Sequence, residues 1–263
     1  MHVVAIYHWK EESDELVQVL AGALGVTAYE ARPRLFGNGP AVVASFADPQ
    51  RAADLVRKLN QRGFATLLLD ATAVRSSSGH FVVRRFEFKK WSIHIESSDG
   101  QRSEILYDDV DLLLPCTNIV GISETKTVTE RKLSIGKTIL SGGLPMTSKV
   151  ERQEEAASEV RARSLHLYAG KRPSAIFSQN GMTFDGLGAA MKLSRELNFT
   201  HLTCELRRLC PGAVYDDRLL NQAGQARLLG PGLSTETNLN LAVEILAMGL
   251  RERGAMMGQG SWG

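Results

Sequence analysis

The chain predicts an α+β protein in two parts. Residues 1–70 read as a small β-α-α-β-α-β module, and residues 80 onward as an antiparallel barrel or sandwich closed by helices. Three observations carry this. Strand-length apolar runs alternate with 3.6-period apolar stripes across the first 70 residues. Residues 81–114 alternate apolar and polar with a period of two, broken by turn residues. Two strand-like runs, 175–178 and 182–184, meet at Asn180-Gly181, the strongest short-range hairpin signal, and an apolar-faced helix follows.

In the first part, residues 2–7 form a strand. Ser13 can cap a helix that carries Leu16, Val17, Val19, Leu20 and Leu24 and stops at Gly25. Thr27 and Glu30 have capping-box spacing, and Pro33 limits that helix to one or two turns. Alternation of Tyr29, Ala31, Pro33 and Leu35 supports a rival strand, which would give a ferredoxin-like β-α-β-β-α-β unit; the capping box favours helix. Residues 41–46 are a second strand. Asp48-Pro49 starts a helix with Ala52, Ala53, Leu55, Val56 and Leu59 inward and Gly63 as its stop. Residues 64–69 are a third strand. On the pattern of 20–34 followed by 41–69, the module resembles the fold shared by the C-terminal domain of the ribosomal stalk protein and the Clp protease adaptor. That adaptor's pocket uses an Asn-Asp-Asp run after its first strand and a histidine before its second. Here His8-Trp9-Lys10-Glu11-Glu12 follows the first strand and no histidine lies between Ala31 and Ala41, so degron recognition is not implied.

Residues 71–79, small and polar with Ser76-Ser77-Ser78-Gly79, read as a linker. Strands follow at 81–88, 91–96, 102–107 and 110–114. The weakly periodic stretch 121–163 reads as an insertion, and strands resume at 165–168 and at the hairpin. A helix with Phe199, Leu202, Leu206 and Leu209 on one face ends at Pro211-Gly212. The strand–acidic kink–strand step Tyr107-Asp108-Asp109-Val110 and the order over 80–118 and 164–210 resemble the pleckstrin-homology-like superfold, particularly its bacterial members. The second domain is thus expected at 80–212. Helices and a Gly/Met-rich tail fill 213–263: a helix over 216–229 capped by Asp216 or Asp217, then one from Ser234 or Thr235 through Arg253. Leu239, Val243, Leu246 and Leu250 stand at coiled-coil spacing on the last helix, with Leu241, Ile245 and Met248 as a second stripe.

Composition narrows the function. A hydrophobic fraction of 43% is that of a globular chain, and a net charge of +2 supplies no global field for nucleic acid. Three cysteines, Cys116, Cys204 and Cys210, make no disulfide framework and suit a reducing compartment. No leader pattern opens the sequence and no apolar run approaches the ~18–20 residues of a membrane span, so a cytoplasmic protein is expected.

Chemistry-bearing motifs are sparse. Gly136-Lys137-Thr138 resembles the end of a phosphate loop, but Arg131 stands where the leading glycine is required. His201 and Cys204 share a helix face, two groups where zinc needs about four. Asp108, Asp109 and Asp111 read as a turn. Nothing implies a catalytic set, metal or cofactor. The expectation is a non-enzymatic adaptor or scaffold that binds a protein partner or itself through Leu239, Val243, Leu246 and Leu250. The alternative is a binder of anionic membrane surfaces or ligands through the insertion, where residues 126–149 hold five basic residues and one acid, with Arg131, Lys132, Lys137 and Lys149 as the contacts. No nucleic acid is expected, since aromatics do not interleave with these charges.

Overall fold

The computed structural model describes residues 1–9, 13–35, 39–76, 79–133 and 147–259. Local signals set the first elements. Ser13 Oγ accepts the Leu16 N–H at 3.1 Å and opens α1 (Asp14–Leu24), and Gly25 closes it in the left-handed region at φ 71°. Thr27 and Glu30 complete the capping box of α2 (Ala28–Ala31), and a 3-10 turn at Arg32–Arg34 continues it. The segment that competed between helix and strand is therefore helical. Asp48 accepts the Gln50 N–H at 2.8 Å, with Pro49 as first residue of α3 (Pro49–Asn60). With β1 (His2–His8), β2 (Ala41–Phe46) and β3 (Ala65–Asp70) these make the expected β-α-α-β-α-β order, as an antiparallel sheet ordered β2-β1-β3.

The expected linker is in part α4 (Ala71–Ser76), with Ala71 buried against the core. Next come β4 (Phe81–Phe88), β5 (Ser92–Ser97), β6 (Arg102–Leu106), β7 (Val110–Leu133), β8 (Thr147–Ala169), β9 (Ala175–Ser178), α5 (Arg195–Leu209), β10 (Val214–Tyr215), α6 (Gln222–Leu229) and α7 (Thr235–Gln259). The strands form one sheet ordered β10-β7-β8-β9-β4-β5-β6, open at β10 and β6 rather than closed into a barrel. The hairpin expected at Asn180-Gly181 is only a turn. β9 pairs antiparallel with β8 on one edge and parallel with β4 on the other, so no edge is left for a returning strand. Met182 and Phe184 are buried instead, and the Thr183 N–H bonds the Arg84 carbonyl at 2.9 Å.

Residues 1–118 with 162–263 form one compact unit and Ile119–Arg161 a second. The second is strand at 119–133 and 147–161, within the stretch read as a loop insertion at 121–163.

Three apolar layers hold the first unit together. Val4 and Ile6 of β1 face α1 and α3. Val3, Ala5 and Tyr7, on the other side of β1, face α6 and α7. Leu112, Leu114 and Cys116 of β7 and Tyr168 of β8 contribute to that same layer, so α7 lies between the two sheets. The far face of the large sheet, including Ile93, Leu113, Leu165, Leu167 and Phe177, packs on Phe199, Leu202 and Leu206 of α5. This position explains why Leu241, Ala242, Val243, Ile245, Leu246 and Ala247 bury most of the circumference of the middle of α7. Gly249 is required here: a Cβ would stand 2.4 Å from Pro40 Cγ and 3.0 Å from Tyr7 Cβ. The helix expected over 216–229 begins later, at Gln222, capped by Asn221 Oδ1 on the Gly224 N–H at 2.7 Å. Asp216 instead accepts the Arg218 N–H at 3.1 Å and pairs with its guanidinium at 2.6 Å.

Candidate functional site

Strand register builds a polar constellation on the large sheet. β4, β5 and β6 are antiparallel neighbours, so partners in register line up across all three. One row is Arg85, Glu96 and Arg102; the next, two residues along, is Glu87, His94 and Glu104. Because side chains of a strand alternate, residues two apart share a face, and both rows lie on the same one. They line a cleft of about 890 Å³, together with half-buried Phe88 and the turn Asp185–Gly188. Gly186 admits that turn: a Cβ there would lie 2.0 Å from the Phe86 carbonyl oxygen.

Ion pairs cross the cleft. Glu96 accepts from Arg102 Nε at 2.9 Å and lies 3.8 Å from Arg85 Nη1. Glu104 lies 3.4 Å from His94 Nε2, and Glu87 accepts from Lys89. The Ser92 hydroxyl, and then His94, hold the Glu104 carboxyl below its ordinary value; hydrogen bonding from Lys89 does the same for Glu87. Four carboxylates (Glu87, Glu96, Glu104, Asp185) face two guanidinium groups (Arg85, Arg102), which leaves the lining acidic. β6 forms the outer edge of the sheet. There Arg172 Nη1 donates to the Glu104 carbonyl at 2.5 Å, and Trp91 and Leu106 are 69% and 44% exposed at one end. Ion pairs over a sheet face, beside its edge strand, can recognise a charged chain; among the described residues they aim no nucleophile at a common point.

A second polar group lies under α7. His80 Nδ1 is 2.6 Å from Ser174 Oγ and His80 Nε2 is 3.9 Å from Glu244 Oε1. Tyr168 Oη donates to the same Glu244 oxygen at 3.2 Å. His166 stands edge-on to His80 with ring centroids 6.3 Å apart, and its Nδ1 is buried without a partner. Burial, and then the charge on His80, push the His166 pKa down to about 4. Serine, histidine and carboxylate are thus adjacent, but Ser174 is 4% exposed and its carbonyl accepts the Phe81 N–H. The group fastens the start of β4 to the core.

The residues expected to bind a partner are already in use. Val243 and Leu246 are 1% and 0% exposed within the chain's own core, and Leu239 and Leu250 pack against it. Each large apolar side chain so buried contributes about 1.5–3 kcal/mol to folding, so an association seam would have to be extracted from the fold. Arg131 and Lys132 fall in β7 and Lys149 in β8; Lys137 lies outside the described residues. Over 119–161 the sequence carries seven basic residues and six acidic ones, so the basic cluster is offset within its own unit. Cys116 and Cys210 are buried and their thiols are pushed up to about 11, while Cys204 is exposed. Among the described residues, no group of three His, Cys, Asp or Glu is placed to hold a metal ion, and no helix is long and apolar enough to cross a membrane.

Sequence reasoning passed over the cleft. Only strand register shows which charges stand opposite one another. Comparison with family models, curated proteins and solved structures gives no significant match.

Proposed function

We propose that the chain is a non-enzymatic binding protein of the adaptor or scaffold class, and that the cleft over β4, β5 and β6 is the surface it presents to a protein partner. One observation carries this reading: two cross-strand rows of paired charges line an open cleft of about 890 Å³ beside an edge strand. Paired surface charges contribute little to stability, typically 0–1 kcal/mol, but set the register of an incoming charged segment. The edge strand β6, whose Glu104 carbonyl is taken by Arg172, adds its remaining main-chain donors and acceptors, the mode by which extended peptides join sheets. Among the described residues, the Cys116 and Cys210 thiols are buried and held protonated at neutral pH and Ser174 is closed off from solvent, so none of these three is set up as a nucleophile. The resemblance of the sequence over 80–118 and 164–210 to pleckstrin-homology-like domains is in keeping with a module that presents a surface, although the sheet here is open.

Selection of random peptides displayed on phage against the purified chain tests it. Enriched peptides are expected to bind the parent and to bind a Glu87→Lys/Glu104→Lys variant at least roughly tenfold more weakly, because both exposed carboxylates of one row are reversed. No enrichment, or binding indifferent to the reversal, contradicts it. Binding of anionic surfaces through Arg131, Lys132, Lys137 and Lys149 has less behind it, given the near balance of charge over 119–161.

A further inference from the structure

A second cleft, of about 590 Å³, lies on the N-terminal module between the end of α1, β2 and α3. It shares no residue with the acidic one, and its charge is opposite. Arg34, Arg51 and Lys58 line it, with Asp54 as the one carboxylate among the described residues of the lining. Asp54 is engaged: it accepts from Arg57, which stands outside the lining, and from Gln50 Nε2 at 3.1 Å. None of the three lining cations is in a carboxylate ion pair among the described residues.

Each cation is held in place by neutral groups. Lys58 Nζ donates to the Gly22 and Ala23 carbonyls at 3.2 and 2.9 Å, at the C-terminal end of α1, which leaves one of its three N–H groups. Arg34 Nη1 donates to the Val43 carbonyl, and its Nε–H is buried with no acceptor. Burial lowers the Arg34 pKa, and the Glu30 charge works against that shift. The Arg51 guanidinium lies 5.6 Å from the centre of the Phe46 ring and is otherwise exposed. Three cations against one carboxylate in a concave site concentrate positive potential there. Leu24, Val26 and Phe46 supply an apolar wall.

The formal charge of the lining is two positive. A carboxylate would neutralise half of it, whereas a phosphate monoester carries about −1.5 to −2 at neutral pH and offers three acceptor oxygens to forked guanidinium donors. We propose that this cleft binds a phosphate monoester, its phosphoryl group held by Arg34, Arg51 and Lys58 and its apolar portion packed on Leu24, Val26 and Phe46. This site is independent of the partner-binding cleft, and either can fail without the other.

Calorimetric titration of the full chain with phenyl phosphate, benzoate and inorganic phosphate at low salt tests it. Phenyl phosphate is expected to bind at least roughly tenfold more tightly than benzoate, and more tightly than inorganic phosphate because only the ester uses the apolar wall. Arg51→Gln, at an exposed position, should weaken phenyl phosphate roughly tenfold, and Asp54→Asn should tighten it by roughly threefold. Arg227→Gln, an exposed guanidinium on α6, should leave it unchanged. No binding to the parent overturns the proposal. So does equal binding of benzoate or inorganic phosphate, or equal loss from Arg51→Gln and Arg227→Gln.

Discussion

Acid should destabilise this fold through His166 before most carboxylates protonate. The residue sits on β8 facing α7, 6% exposed, with Nδ1 unpartnered and the His80 ring beside it. A proton there would create a cation in an apolar layer next to another histidine, and the folded-state pKa falls from 6.5 to about 4. Because the folded value is depressed, the associated stability is fully present above pH 6.5 and is lost as pH falls toward 4. Linkage gives a loss of about 2 kcal/mol between neutral pH and about pH 5, and about 3 kcal/mol by about pH 4. Urea unfolding followed by circular dichroism, on the parent and on His166→Leu, measures it. The variant removes the titrating ring at similar volume, so the parent should lose about 2 kcal/mol more than the variant on acidification to about pH 5. Equal losses would refute the reasoning and move the acid sensitivity to other groups.

Three further outcomes follow from the packing. Gly249→Ala should lower stability by about 1–3 kcal/mol, since its Cβ meets Pro40 and Tyr7, and a thermal melt will show it. Leu246→Ala should cost about 2–5 kcal/mol in urea unfolding and leave the mass in solution unchanged, because its side chain fills the chain's own core. In a thiol-reagent titration of the native chain, Cys204 should react rapidly while Cys116 and Cys210 react only on unfolding; fast modification of either buried thiol would contradict the placement.

Much of the N-terminal module was legible because its signals are local. Ser13, Thr27 with Glu30, and Asp48 with Pro49 each settle a helix start through hydrogen bonds within three residues. What failed depended on distant strands. Asn180-Gly181 has good hairpin chemistry, yet β9 already has a neighbour on each edge. Leu239, Val243, Leu246 and Leu250 have the spacing of a seam, and spacing cannot say whether the opposing surface belongs to another chain or, as here, to two sheets of the same one. The cap at Asn221 was hidden by two aspartates nearer the preceding turn. Neither cleft was legible. Glu87, His94 and Glu104 meet only through the registers of β4 with β5 and β5 with β6, and Arg34, in the turn after α2, joins Arg51 and Lys58 of α3 only in the folded module.

Hydrogen–deuterium exchange on the parent, with and without a selected peptide, tests the central claim most directly. Slowed exchange concentrated in residues 85–106, strongest at the amides of β6, is the result this account requires. Protection confined to α7, or to residues 119–161, with β4, β5 and β6 unaffected, would contradict it.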